Sequence, residues 1–165
     1  MFTLRVYGIL LNENKQVLVS DEKIRGNYYT KFPGGGLEFG EGTRDCLARE
    51  FMEEMGLRVE VTDHIYTTDY FQMSAFRPNE QIVSIYYFVR ALEPIQAPLR
   101  SKPFDFDALE LSRYEAYGET ETFRFINWED FNEAVVSLPI DKTVTRLLKQ
   151  NPCPYEYLNR NPFLP

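Results

Sequence analysis

The sequence predicts one α/β or α+β domain built on a mixed β-sheet. Its 165 residues are a one-domain length and can bury a full hydrophobic core. Its 44% hydrophobic and 26% charged residues are typical of globular domains. Several β-prone segments are separated by few helical ones, a pattern that favours strands mixed with helices. We therefore expect one domain over residues 1–150 and a C-terminal tail over residues 151–165.

The predicted strands are segments rich in β-branched and aromatic residues that end at turn residues. Residues 2–11 and 16–20 are expected to form a hairpin around a turn at 12–15, and residues 58–73 and 81–92 are expected to pair. Shorter strands are predicted at 28–32 and 121–127.

The clearest helix is predicted at Thr43–Met55. Thr43 is a suitable N-cap, and Gly56 stands where a left-handed residue commonly ends a helix. The proline and three glycines at residues 33–36 oppose regular structure, so a loop is predicted there.

The last third of the chain is harder to assign. Helices are predicted at 128–137 and 141–150, separated by Pro139. Residues 93–118 read as a long loop with a short helix around 108–114. The proline-rich tail either is loosely ordered or packs against the domain or a second subunit.

Charge and cysteine content narrow the function classes. The formal net charge of −7 disfavours binding to nucleic acid, whose phosphates would be repelled. Two distant cysteines make no disulfide framework, which indicates a reducing, cytoplasmic compartment. No apolar run approaches the length of a membrane span, and the N-terminus lacks the basic region of a signal peptide. We expect a protein that binds neither nucleic acid nor a membrane.

The predicted helix at Thr43–Met55 carries three carboxylates on one side. Glu50, Glu53 and Glu54 lie at i, i+3 and i+4 and repel one another. A divalent cation such as Mg²⁺ would convert this repulsion into binding, because it prefers carboxylate oxygens. The opposite side is expected to face the core through apolar residues: Leu47, Ala48, Phe51, Met52 and Met55.

The glycine segment leads directly into this acidic helix. Glycines allow a ligand to approach the backbone closely, and a helix N-terminus favours phosphate. The alternative for any acidic helix after a flexible turn is an ordinary solvated face. The spacing of the glycine and glutamate residues decides between a ligand-binding segment and a solvated acidic face.

Gly35 is followed after five residues by Glu41, and after seven more by the run at residues 49–57. This segment resembles the Nudix box, G-x5-E-x7-R-E-U-x-E-E-x-G-U with U apolar, and meets every position of it. Phe51 stands where the family more often has an aliphatic residue. The resemblance implies the Nudix fold over residues 1–150, an α/β/α sandwich around a mixed β-sheet.

The resemblance also implies roles for the box residues. Glu50 and Glu54 would be the main ligands of Mg²⁺, with Mn²⁺ as a substitute, and Glu53 a further ligand or the base. The carbonyl of Gly35 would be a backbone ligand. Arg49 and Glu41 would be orienting residues, and Arg49 can hold a carboxylate in one rotamer. An ordinary surface ion pair is the alternative for Arg49.

Many Nudix enzymes use one more glutamate, outside the box, as a base or an extra ligand. By position the candidates here are Glu119 and Glu121, whose alternative role is that of solvated charges at the start of a strand.

The implied activity is hydrolysis of a phosphoanhydride bond in a small nucleoside-diphosphate compound: a nucleoside triphosphate, a nucleotide sugar, ADP-ribose or a dinucleotide polyphosphate. The main alternative is a non-hydrolytic Nudix-like domain that binds a nucleotide or regulates a partner, and isomerisation of an isoprenoid diphosphate is a third. Relatives often dimerise, so a homodimer is one expected state.

Overall fold

The computed structural model describes residues 1–158. Their elements, in chain order, are β1 Phe2–Leu10, β2 Gln16–Ile24, β3 Asn27–Lys31, β4 Gly34–Gly36, α1 Thr43–Met55, β5 Val59–Thr67, β6 Gln81–Ala91, β7 Leu99–Arg100, α2 Ala108–Tyr117, β8 Glu119–Asn127, α3 Pro139–Lys149 and α4 Tyr155–Leu158. They are arranged in two compact units. The first contains 1–10, 33–96 and 156–158, and the second 11–32 and 97–155.

The first unit is a four-stranded sheet in the order β4-β1-β6-β5. Strand β1 runs parallel to β6 and antiparallel to β4, and β5 runs antiparallel to β6. Helix α1 packs on one face of this sheet through Leu47 and Phe51, both 0% exposed. A Cβ added at Gly8 of β1 would lie 2.7 Å from the Phe51 ring, so the bulk of Phe51 fits against a strand position without a side chain.

The second unit is a four-stranded sheet in the order β3-β2-β8-β7, accompanied by α2 and α3. Strand β7 runs parallel to β8, and the other pairs are antiparallel. Asp21, which is 0% exposed, accepts hydrogen bonds from Arg124 Nε at 2.6 Å and from the Thr30 hydroxyl at 2.6 Å. The backbone N–H of Phe104 also donates to Asp21, at 3.2 Å, so one carboxylate joins β2, β3, β8 and the segment before α2.

The α/β class with mixed sheets is confirmed, and the strands are divided between two mixed sheets rather than gathered in one. The predicted pairing of residues 58–73 with 81–92 is confirmed by β5 and β6.

The predicted hairpin between residues 2–11 and 16–20 is wrong. The turn at 12–15 forms, but only an isolated bridge between Leu11 and Val17 follows it. Both edges of β1 are already occupied, by β4 and β6, and β2 pairs with β3 and β8. A strand has only two edges, so β2, the next strand in the sequence, has no free edge of β1 to pair with.

The loop predicted at residues 33–36 is also wrong, because Gly34–Gly36 forms β4. Gly34 has φ +135°, a conformation that residues with side chains rarely adopt, and an added Cβ would lie 2.2 Å from the Val6 carbonyl oxygen. Gly34 therefore occupies a position beside Val6 that has no room for a side chain.

The helix at Thr43–Met55 is confirmed, but its N-cap and its buried face differ from the prediction. The N-cap is Gly42 rather than Thr43, and Asp45 accepts a hydrogen bond from the Gly42 N–H at 3.3 Å. Gly56 ends the helix in the left-handed conformation, as predicted. Met52 is 44% exposed rather than core, whereas Cys46 is fully buried.

The helix predicted at residues 128–137 is wrong, since these residues form turns. Asn132 donates to the Asp130 carbonyl and accepts from the Ala134 N–H, so its side chain satisfies backbone groups that a helix would have paired. Helix α3 does form, with Pro139 as its first residue, and α2 extends beyond the predicted 108–114.

Cys46 and Cys153 are free thiols, as expected. Among the described residues, no helix has the length and apolarity needed to cross a membrane. The predicted tail at 151–165 includes α4, and residues 159–165 lie outside the described part. The domain boundary at residue 150 stays a prediction.

Candidate active site

Arg49, in the middle of α1, is the centre of a charged cluster in the first unit. It holds Glu41 with two hydrogen bonds, from Nε at 3.0 Å and from Nη2 at 2.7 Å. Its Nη1 donates to Glu50 at 3.0 Å and to Glu53 at 3.2 Å. Its Nη2 also donates to the carbonyl of Gly36 at 3.1 Å. One guanidinium therefore faces three carboxylates, and the cluster carries excess negative charge.

The pair of Arg49 and Glu41 stays ionised over a wide pH range. Hydrogen bonding to Arg49 is the main reason that the pKa of Glu41 falls to about 2, and the backbone N–H of Glu38 adds to the effect. Glu41 in turn raises the pKa of Arg49 above its ordinary value. Glu41 is therefore a fixed anion bonded to Arg49, and the orienting role expected for it stays a prediction.

Gly35 lies directly against the carboxylate of Glu50. A Cβ on Gly35 would be 2.3 Å from Glu50 Oε1, which is too close for any side chain to fit unless Glu50 moved. The glycine brings backbone and carboxylate together at one place, although they are 15 positions apart in the sequence. Oxygen atoms from both groups suit a hard divalent cation.

Cys46, also on α1, contacts both the backbone and the arginine of this cluster. Its Sγ donates to the Gly36 carbonyl at 3.4 Å and lies 3.6 Å from Arg49 Nη2. Burial is the main cause that raises the pKa of Cys46 to about 12, so the thiol keeps its proton and remains a donor. Its spacing of three residues from Arg49 on a helix is the sequence signal for this contact.

The predicted ligands differ in exposure. The side chain of Glu50 is 14% exposed and that of Glu53 is 59% exposed, while Glu54 is half-buried. Within residues 1–158, no three acidic, histidine or cysteine side chains are already grouped as a metal site. Arg49 occupies oxygens of Glu50 and Glu53 that a cation would share.

Glu119 and Glu121 lie on β8 in the second unit, so the box residues and these two belong to different units. Glu121 accepts a hydrogen bond from the Ser20 hydroxyl at 3.2 Å, and Glu119 is exposed. Directly opposite Glu121 on β2 is Glu22, a nearly buried carboxylate paired with Lys31 at 2.7 Å. The sequence did not indicate that Glu22 lies beside Glu121, because an acidic residue late in a strand gives no distinctive signal.

A family model of the NUDIX domain matches residues 1–143. The chain is 30% identical over 116 residues to Nudix hydrolase 2 of Arabidopsis thaliana. The aligned region covers 67% of this chain and 38% of that protein. It is 33% identical over 69 residues to RNA pyrophosphohydrolase of Blochmanniella pennsylvanica, covering 42% of this chain and 43% of that protein. The chain thus spans about two fifths of the length of these curated relatives.

Solved structures share the fold at low sequence identity. The E. coli ORF135 protein superposes with a TM-score of 0.65 at 15% identity, over 97% of this chain and 95% of that one. At this identity the likeness concerns the fold alone.

Proposed function

The chain belongs to the NUDIX domain family, and from this membership we propose that it is a divalent-metal-dependent pyrophosphohydrolase. The observation that carries the proposal is the cluster around Arg49, where three carboxylates face one guanidinium beside the close approach of Gly35 to Glu50. The excess negative charge of this cluster is what a bound divalent cation would neutralise.

The residues present fit a hard divalent cation. Gly35, Glu50, Glu53 and Glu54 would hold Mg²⁺ or Mn²⁺ through a backbone carbonyl and carboxylate oxygens. When bound, the cation would neutralise phosphate oxygens, lower the pKa of water and stabilise the leaving group. The glycine at position 35 is the physical reason that the set can converge, since any side chain there would displace Glu50.

The chain's own residues would orient the ligands and move the proton. Arg49, itself fixed by Glu41, holds Glu50 in one orientation. Glu53 is the most exposed of the three acidic partners of Arg49 and is a candidate base for the attacking water. Glu119 and Glu121 remain candidates for the same task or for an extra ligand.

The proposed substrates share a diphosphate attached to a nucleoside: nucleoside triphosphates, nucleotide sugars, ADP-ribose and dinucleotide polyphosphates. One relative is named RNA pyrophosphohydrolase, so 5′-triphosphorylated RNA also belongs in a test panel. The net charge of −7 favours the small molecules over the RNA.

The test is hydrolysis of this panel with Mg²⁺ or Mn²⁺ by the native chain, Glu54→Gln and Glu60→Gln. Glu60 is a matched control, because it is a glutamate of the same unit that forms an exposed ion pair with Arg90. We expect turnover that needs the metal, survives in Glu60→Gln and collapses in Glu54→Gln. Equal turnover in both variants would refute the assignment.

The second candidate is a Nudix-like domain that binds a nucleotide without chemistry. Retention of Glu50, Glu53 and Glu54 favours hydrolysis over this alternative. The alternative predicts that a panel compound raises the melting temperature without being turned over.

A further inference from the structure

Lys23, near the end of β2, belongs to a row of side chains that crosses the sheet of the second unit. It is directly opposite Tyr28 of β3 on one side and directly opposite Thr120 of β8 on the other. Residues that pair across neighbouring strands project from the same face of a sheet. Tyr28, Lys23 and Thr120 therefore share one face, together with Asp21, which precedes Lys23 by two residues on β2.

The ammonium group of Lys23 lies beside aromatic rings rather than beside a carboxylate. Its Nζ is 3.9 Å from the centre of the Tyr114 ring of α2 and 5.7 Å from the centre of the Tyr28 ring. Tyr28 packs in turn against Phe104, with ring centres 5.2 Å apart. Within residues 1–158, no carboxylate forms an ion pair with this half-buried lysine. A charge that is partly removed from water is normally paired, so the missing counter-ion calls for an explanation.

Thr120 gives a second, independent indication of a missing partner. It is 9% exposed, and its hydroxyl oxygen makes no hydrogen bond with any described residue. A buried hydroxyl without a partner is destabilising, and such groups are rare in native proteins. Because Thr120 is the cross-strand neighbour of Lys23, one bound acceptor would satisfy both side chains.

We propose that Lys23 and Thr120 bind a phosphoryl group on this face of the second unit. An ammonium and a hydroxyl both donate hydrogen bonds, so the ligand must supply negative charge and accepting oxygens. The carboxylate of Asp21 does not cancel the charge of Lys23, because it is matched by Arg124 at 2.6 Å. Tyr28 is 51% exposed and marks the side of the site that is open to solvent. The flexible lysine side chain allows the ammonium to turn from the rings towards a ligand that reaches Thr120.

The residues of this site differ from those of the candidate active site. The site belongs to the second unit, whereas the cluster around Arg49 belongs to the first. Within its own sheet the site is on the face opposite Glu121, because adjacent residues of a strand alternate between faces. Phosphoryl binding at Lys23 and Thr120 therefore needs no divalent cation, and it can be measured when hydrolysis is switched off.

The test is a calorimetric titration of the full chain with inorganic phosphate, in a chelating buffer that keeps divalent cations away. Lys23→Met keeps most of the side chain without its charge, and Thr120→Val keeps the shape without the hydroxyl. Lys142→Met is the control, because Lys142 is a half-buried lysine of the same unit on α3. We expect millimolar binding by the native chain and by the control, weakened about tenfold or more in each of the other two variants.

Thr120→Val also provides a readout that a purely structural hydroxyl would not give. Without phosphate, the variant loses an unsatisfied buried oxygen, so its melting temperature should rise by about 2 to 6 °C. Saturating phosphate should raise the melting temperature of the native chain but not that of the variant. A variant that is less stable than the native chain and binds phosphate equally well would contradict the proposal.

Phenyl phosphate, titrated in the same way, identifies the source of the phosphoryl group. Tighter binding than inorganic phosphate, with the gain lost in Tyr28→Leu, would indicate a ligand whose ring lies on Tyr28, and equal binding would indicate free phosphate. Both results support the site. If the native chain binds neither compound at about 10 mM, or if folded Lys23→Met and Thr120→Val bind both as tightly as the native chain, the inference is wrong. Neither result depends on the outcome of the hydrolysis panel.

Discussion

Two arginine networks, one in each unit, differ in their charge balance. In the second unit, Arg124 faces the single buried carboxylate of Asp21, whose oxygens are also bonded to Thr30 and to the backbone of Phe104. In the first unit, Arg49 is 24% exposed and faces three carboxylates. The balanced pair joins strands, whereas the unbalanced cluster holds negative charge that a bound cation would neutralise.

Charge balance and burial distinguish a structural ion pair from a candidate metal-binding site. A buried pair is tolerated only when charges and hydrogen bonds are matched, and breaking it leaves an uncompensated charge. A partly exposed cluster with excess charge contributes little to stability by itself, which is compatible with the proposed role of this cluster in binding a cation. Changes in the two networks should therefore separate stability from activity.

The largest expected effect is on stability, at Asp21. Asp21→Asn leaves the Arg124 charge buried without its counter-ion, which should lower the free energy of unfolding by about 3 kcal/mol. Urea denaturation measures this, and the activity per folded molecule should be unchanged. A fall of less than about 0.5 kcal/mol would show that the pair is not the structural anchor described here.

The next effect is on activity, at Arg49. Arg49→Gln should lower turnover by about 10- to 100-fold, because Glu50 loses the group that orients it. Arg49→Lys should not restore turnover, since an ammonium cannot replace the bidentate contact with Glu41. Steady-state kinetics with denaturation as a second readout tests this. A large loss of stability with normal turnover would reverse the comparison.

A smaller effect on stability is expected at Thr30. Thr30→Val keeps the shape of the side chain but removes the hydroxyl that donates to Asp21 at 2.6 Å. The unfolding free energy should fall by about 1.5 kcal/mol, the usual contribution of a hydrogen bond to a charged group. Turnover should not change, and a selective loss of turnover would place this network in the active site.

The smallest effect is the pH dependence of the Arg49 cluster. The pKa of Glu41 is lowered to about 2, so its ionised form stabilises the fold above the ordinary range near 4.5, and this contribution disappears as the pH falls from there towards 2. The melting temperature of Glu41→Gln, in a chelating buffer, should therefore lie below that of the native chain at neutral pH and converge with it near pH 2. A difference that is constant with pH would contradict the assigned ion pair.

The candidate site was predictable from sequence because it is local. Helix geometry alone places Arg49, Glu50 and Glu53 within reach of one another, and the fixed spacing to Gly35 and Glu41 completes the set. Even there, the prediction placed Met52 in the core and overlooked Cys46. The buried face of α1 is rotated slightly from the expected one, so that Cys46 is buried and Met52 is exposed.

The strand partners and the second network could not be predicted in this way. Asp21 and Arg124 are separated by 103 positions, and Asp21 on its own looks like a surface residue. The pairing of β1 with β6 rather than β2 depends on which strands compete for its two edges, a question of long-range packing that local residue patterns do not answer.

The most direct test of the central claim is a titration with Mn²⁺, followed by electron paramagnetic resonance, of the native chain, Glu50→Gln and Glu60→Gln. Excess carboxylate charge around Arg49 predicts a saturable Mn²⁺ site in the native chain and in Glu60→Gln that is weakened or lost in Glu50→Gln. Equal Mn²⁺ binding by all three proteins, or none by the native chain, would contradict the claim that this cluster binds the metal.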